Sequence, residues 1–283
     1  MLTRYWSALV RRLDRPGRRA LLVLPGSFWV TFTYRAMCVV YWRDGAWIHR
    51  YRGARIPHAQ LGRAAPPDVF TAYARKIIFH GYAPRAGDIV FDVGAGIGAE
   101  TLLFSRLVGG SGRVVSIEAH PRTYRRLVDL CKANGLVNVT PLQVAASDLD
   151  GAATISDLPN HVRNTTLDAE AEGINVPAHR LDTIATDLGV TRIDLLKMNI
   201  EGAELAALRG LGTLLANTLH VCIACHDFLA DEGGPEELRT KAAVSELLTA
   251  HGFEVTSRDD PEPWTRDCLY GLNTRRLSTD PAA

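Results

Sequence analysis

Strand and helix patterns that alternate from Gly87 onward, a glycine-rich turn at residues 94–98 and an acid, Glu118, at the end of the second strand predict an α/β protein. The expected fold is a mostly parallel sheet of seven strands with helices on both faces, preceded by a small β-rich extension. A chain of 283 residues can bury such a core and still carry an appendage.

The extension comes first. Residues 28–52 are aromatic and β-branched around Asp44-Gly45, a pair that turns a hairpin because glycine adopts positive φ freely. A connector with Pro57, Pro66 and Pro67 follows, then helical spacing over 69–79 that stops near Gly81. The division is residues 1–80 as extension, 81–276 as the main domain and 277–283 as a tail.

In the main domain the strands fall at 89–93, 114–117, 139–145, 193–200, 220–224, 253–256 and 268–272. Helices fall at 99–108, 123–133, 203–215 and 238–250. Residues 151–180 are polar, rich in Asn, Thr and Ala, and fit an insertion over the ligand-binding edge of the sheet.

The net charge of +1 hides an asymmetry. Residues 1–55 hold eleven arginines against two acids, Asp14 and Asp44, so the rest of the chain is net negative. Such an arm suits nucleic acid, an anionic membrane surface or an acidic partner, or packing on the acidic body of its own chain or of a second subunit. The longest apolar stretches, near 20–24 and 36–42, fall far short of the roughly 20 residues of a membrane-spanning helix. No transmembrane segment is expected, and the arginine-rich start lacks the apolar core and cleavage site of a secretion signal. Five scattered cysteines suit reduced thiols in a cytoplasm.

The turn Phe91-Asp92-Val93-Gly94-Ala95-Gly96-Ile97-Gly98 lets a ligand approach the backbone, and the helix after it offers unpaired N–H groups. Glu118 lies 20 residues beyond Gly98, the spacing of an acid that accepts two ribose hydroxyls. Two nucleoside cofactors share this pattern. NAD(P) fits because Gly94 to Ala99 satisfies G-x-G-x-x-G/A. S-adenosylmethionine fits better with Asp92, whose carboxylate opposes a pyrophosphate and welcomes a cationic ligand.

Further motifs extend the pattern: Glu118-Ala119-His120-Pro121, then Val144-Ala145-Ala146-Ser147-Asp148 with Gly151, then Val176-Pro177 before Leu181-Asp182-Thr183-Ile184. The last is Leu196-Lys197-Met198-Asn199-Ile200-Glu201-Gly202-Ala203-Glu204. With Asp92 to Gly98 and Thr101, these resemble the FkbM-type methyltransferases over roughly residues 85–212. The resemblance implies a class I methyltransferase fold, S-adenosylmethionine as donor and O-methylation of a sugar, glycan or natural product. It places the cofactor against Asp92, Gly94, Ala95, Gly96, Thr101, Glu118, Ala119, Ala146 and Asn199. Most members carry an aspartate where this chain has Asn199, which cannot be a general base.

Methyl transfer is an in-line displacement, so the protein aligns the acceptor and takes its proton. Lys197, Asn199 and Glu201 alternate at the end of the fourth strand and point to one side. Glu201 is the first candidate base, although an acid at a helix N-terminus also needs no more than the dipole to explain it. His226 and Asp227 at the end of the fifth strand are the second candidates, or else a strand-end hydrogen-bonded pair, and Lys197 completes the catalytic set. Cys222-Ile223-Ala224-Cys225-His226 spells a haem-attachment string, but residues three apart in a strand face opposite ways. No second Cys/His pair supports zinc, and no divalent-metal site is assigned.

The expected partner is a small-molecule or glycan acceptor. Residues 1–80 then serve as a lid, an acceptor-recognition element or a homodimer contact. No nucleic acid is expected, because the catalytic motif lacks the Asn/Asp-Pro-Pro-aromatic string of many base methylases.

Overall fold

A computed structural model of the chain describes residues 2–156 and 173–277. It opens with two helices, α1 (Leu2–Leu13) and α2 (Val23–Tyr34). An antiparallel meander of β1 (Val39–Arg43), β2 (Ala46–Tyr51) and β3 (Ala54–His58) follows. Asp44-Gly45 joins β1 to β2 with φ of 49° and 77°, the left-handed backbone that this turn requires. Pro57 sits in β3, an edge strand, where a missing amide is tolerated.

The extension is less β-rich than expected, since residues 28–34 complete α2. Their aromatic and β-branched side chains favour a strand, yet Leu22, Gly26 and Val30 recur every fourth residue on the buried side. Gly26 lets the Val40 and Leu61 side chains come so close that an added Cβ would lie 3.0 and 3.1 Å from them. Ser27 Oγ donates to Val23 O (2.6 Å) and accepts from Val40 N (2.9 Å), tying the helix to β1. Tertiary packing has overridden local preference.

The main domain begins after α3 (Pro67–Lys76). In chain order it contains β4 (Ile89–Val93), α4 (Ala99–Val108), β5 (Arg113–Ile117), α5 (Pro121–Asn134), β6 (Val139–Leu142), β7 (Ala145–Ser147), β8 (Gly151–Ser156), β9 (Gly173–Arg180) and α6 (Leu181–Asp187). It continues with β10 (Ile193–Met198), α7 (Glu204–Arg209), β11 (Thr218–Ala224), α8 (Asp227–Asp231), α9 (Lys241–Ala250), β12 (Phe253–Ser257), α10 (Pro263–Arg266), β13 (Cys268–Asn273) and α11 (Thr274–Leu277).

The seven-stranded sheet has the order β12-β13-β11-β10-β4-β5-β6. Strands β11, β10, β4, β5 and β6 are parallel, and β13 runs antiparallel to both β11 and β12. This is the expected class I arrangement. Phe91, Val93, Leu196 and Met198 face α6, α7 and α9, whereas Val90, Val114 and Leu195 face α3 and α4. Both faces are therefore buried, as a parallel sheet requires. Cys222 packs with one of these clusters and Cys225 with the other, on opposite sides.

The strand expected over 139–145 divides in two. β6 ends in the main sheet at Leu142, and β7 enters a second sheet of order β7-β9-β8. The polar stretch 151–180 supplies β8 and β9, while residues 157–172 lie outside the described residues. Among the described residues no helix is long and apolar enough to cross a membrane.

Candidate active site

The first parallel strand ends in a turn that carries three glycines in the left-handed region. Gly94, Gly96 and Gly98 have φ of 72°, 57° and 91°, a region that other residues enter at a cost. A Cβ on Gly94 would sit 1.9 Å from the carbonyl oxygen of Asn199, and one on Gly98 would sit 2.7 Å from the Leu127 side chain. Close approach fixes those two positions. Gly96 differs, because an added Cβ would meet no protein atom within 4 Å. The space above Gly96 is a cavity of about 370 Å³.

That cavity lies at the carboxyl ends of β4, β5 and β10, where open α/β sheets bind ligands. Gly94, Ala95, Gly96, Glu118, Ala119, Ala146, Lys197, Asn199 and Glu201 all line it. The structure thus brings together nine of the residues singled out in the sequence. Asp92, Thr101, His226 and Asp227 do not line the cavity.

Asp92 acts from behind it. Its carboxylate is fully buried, with Oδ1 2.9 Å from Lys197 Nζ and Oδ2 accepting from Thr101 Oγ1 at 2.7 Å. Lys197 Nζ also donates to Gly94 O at 2.9 Å, so this pair pins the glycine turn to the neighbouring strand. Burial opposes the charge on Lys197, but Asp92 and Glu100 outweigh it and raise its pKa. The negative charge that favoured a cationic ligand is therefore matched locally by an ammonium.

Glu118 presents its carboxylate to the cavity. Oε2 accepts from Gly96 N at 3.0 Å and Oε1 from His120 N at 2.9 Å. Burial pushes its pKa up to about 7, against the pull of those two amides. Asn199 Oδ1 is buried without a protein hydrogen-bond partner, an acceptor open to a water or a bound group.

Glu201 has φ of 51°, a strained backbone for a side chain with Cβ. The loop that bears it is anchored by Glu204, which is fully buried and accepts twice from Gly202 N at 3.1 Å. Thr240 Oγ1 donates to Glu204 at 2.9 Å, and His226 Nδ1 lies 3.2 Å from it. His226 thus supports the loop through Glu204. Asp227 Oδ1 accepts from Thr240 N and Lys241 N at 3.0 and 3.1 Å, satisfying amides at the start of α9.

Sequence reasoning missed Glu100 and the α3 wall. Glu100 lines the cavity in the first turn of α4, and burial raises its pKa while Lys197 opposes the rise. Phe70, Tyr73, Ile77 and Ile78 contribute an aromatic and aliphatic wall. Glu100 sits directly after the glycine motif, and its place at the helix N-terminus was the available signal; the α3 residues carried none, because only packing brings them to the sheet edge.

A family model described as the Methyltransferase FkbM domain matches residues 92–255, a span that holds the cavity's turn, Glu118 and the Lys197 to Glu204 loop. The chain belongs to the FkbM methyltransferase family. As a family member it is a methyltransferase, and its sheet order agrees with that assignment.

Among curated relatives, the 31-O-demethyl-FK506 methyltransferase FkbM of Streptomyces tacrolimicus is 27% identical over 245 residues, covering 74% of this chain and 89% of that protein. The AMB antimetabolite synthetase AmbE of Pseudomonas aeruginosa is 31% identical over 140 residues. That match covers 49% of this chain but 6% of AmbE, so the likeness concerns one part of a far longer protein. The solved structure of methyltransferase FkbM from Methylobacillus flagellatus aligns at 17% identity with a TM-score of 0.49, covering 73% of this chain and 50% of that one.

Proposed function

We propose that this FkbM-family methyltransferase transfers a methyl group from S-adenosylmethionine to a hydroxyl of a small-molecule or glycan acceptor. One observation carries the reading: a single cavity joins the open backbone at Gly96, the Glu118 carboxylate and the unpartnered Oδ1 of Asn199. The donor and acceptor pattern fits the cofactor. Glu118 accepts from ribose hydroxyls, Asn199 Oδ1 accepts from the methionine ammonium, and the open space over Gly96 receives the nucleoside. When bound, the cofactor supplies an electrophilic methyl on a positively charged sulfur.

The chain's own residues do the rest. Lys197 and Asp92 hold the Gly94 turn in place, and the wall of Phe70 and Tyr73 on α3 with Ile77 just after it excludes water from the acceptor side. Glu201 takes the proton of the acceptor hydroxyl, with Glu100 as the second carboxylate in the same cavity. The name of the Streptomyces relative, a 31-O-demethyl-FK506 methyltransferase, supports an oxygen acceptor. The lining by α3 supports a role in acceptor recognition for the end of segment 1–80.

Calorimetric titration with S-adenosylhomocysteine tests the cofactor. Binding of this product, without binding of NADH, is expected; the reverse overturns the reading. The pH dependence of this titration tests Glu118. Its carboxyl holds a proton more tightly in the folded protein, so apo stability falls as pH rises from 4.5 to about 7 and levels above that. The ionised form is the one that accepts ribose hydroxyls, so affinity rises with pH and falls by about tenfold per unit well below about 7. Glu118→Gln flattens that profile. A profile that stays steep in the variant removes Glu118 from the site.

A further inference from the structure

Residues 20–34 contain no charged side chain, yet the helical run they form is covered on one side only. Leu22, Gly26 and Val30 face the protein. Leu21, Leu24, Phe28 and Phe32 are 63%, 81%, 73% and 79% exposed. Spaced three, four and four residues apart, they fall on one helix face. The rings of Phe28 and Phe32 stack with centroids 6.0 Å apart, and Met37, just beyond the helix, is 83% exposed. Contiguous large apolar groups in water mark an interaction surface.

The segments that flank this stripe in the sequence are strongly basic. Arg11, Arg12, Arg15 and Arg18 precede it and Arg35 follows it; all five are exposed, and none forms an ion pair among the described residues. The nearest acid in sequence, Asp14, is already engaged by Arg19 at 2.7 Å and by Trp47 Nε1 at 3.0 Å. A nucleic acid would answer the arginines but leave Leu24, Phe28 and Phe32 in water. A second copy in a two-fold contact would cover the apolar stripe but bring like arginines together. An anionic bilayer answers both, with apolar side chains at the acyl boundary and guanidinium groups among the headgroups.

We infer that the α2 face and its flanking arginines anchor this methyltransferase to a membrane surface rich in anionic lipid. The face is held ready: Thr31 Oγ1 accepts from Cys38 N at 3.0 Å, and Trp6 of α1 stacks on Trp29 at 5.2 Å. The extension also grips the main domain, since Asn134 Oδ1 accepts from Arg55 N at 2.9 Å and its Nδ2 donates to Arg55 O at 2.7 Å. Docking α2 therefore carries the catalytic domain to the surface.

Flotation of the full chain with vesicles tests this, comparing phosphatidylserine mixed into phosphatidylcholine with phosphatidylcholine alone. The expected result is binding to the anionic vesicles only, weakened by salt. Phe28→Ser with Phe32→Ser, and separately the four reversals Arg11→Glu, Arg12→Glu, Arg15→Glu and Arg18→Glu, should each lower partitioning by at least about tenfold. All six positions are exposed, and an unchanged circular dichroism melt verifies folding of each variant. The inference fails if the wild-type chain ignores anionic vesicles. It fails if binding depends on the arginines alone, which marks a soluble polyanion or nucleic acid as occupant. It fails equally if sedimentation shows a dimer that Phe28→Ser with Phe32→Ser dissolves, which marks a second copy.

Discussion

Lys197→Met is expected to destabilise the protein by about 3–5 kcal/mol, the cost of leaving one member of a buried ion pair without its partner. For a domain of this size the melting temperature should fall by roughly 10 °C. The reason is specific to the site: Asp92 is fully buried, and Lys197 Nζ lies 2.9 Å from its Oδ1. Methionine matches the length of the lysine stem, so packing is nearly conserved and the orphaned carboxylate dominates. Adding Asp92→Asn should restore most of the loss, because asparagine is neutral and its oxygen still accepts from Thr101. Thermal melts of the two single variants and the double variant decide the matter; a Lys197→Met protein that melts with the wild type refutes it.

Glu201→Gln should leave folding intact and cut turnover by about 10²–10⁴-fold, the contribution of a positioned general base. Glu201→Gly sharpens the test. With φ of 51°, the glutamate holds a left-handed backbone that glycine adopts freely. Removing its Cβ should raise stability by about 1 kcal/mol while abolishing the base. Gain of stability with loss of activity is the signature of strain kept for function. If Glu201→Gln retains turnover and Glu100→Gln loses it, the base is the carboxylate of the first turn of α4. The pH profile of turnover provides a second reading, since the group that titrates in it must vanish in the correct variant.

The main-domain strands were legible because their signals are local. Val93 to Gly98 pairs a buried strand with a turn whose positive φ few residues other than glycine accept, and Glu118 follows at a fixed distance along the chain. Asp44-Gly45 declared the hairpin for the same reason. The Lys197 to Glu204 stretch placed Lys197, Asn199 and Glu201 at one strand end, and all three line the cavity. The failures have a common cause. Residues 28–34 have strand-like composition but are helical, because Gly26 and Ser27 seat α2 on β1. His226 and Asp227 sit at the expected strand end without lining the cavity, and their contacts with Glu204, Thr240 and Lys241 match the alternative of a hydrogen-bonded strand end.

By itself the sequence determined the sheet, the glycine turn, the acid at the end of β5 and the family, all of which rest on the conformational needs and spacing of neighbouring residues. Only the tertiary structure decided that Asp92 serves the site through Lys197, that Glu100 and α3 join it, and that α2 turns an uncharged face to solvent. Those facts depend on contacts between segments far apart in the chain, and hydrophobic pattern alone does not specify which buried charge meets which partner.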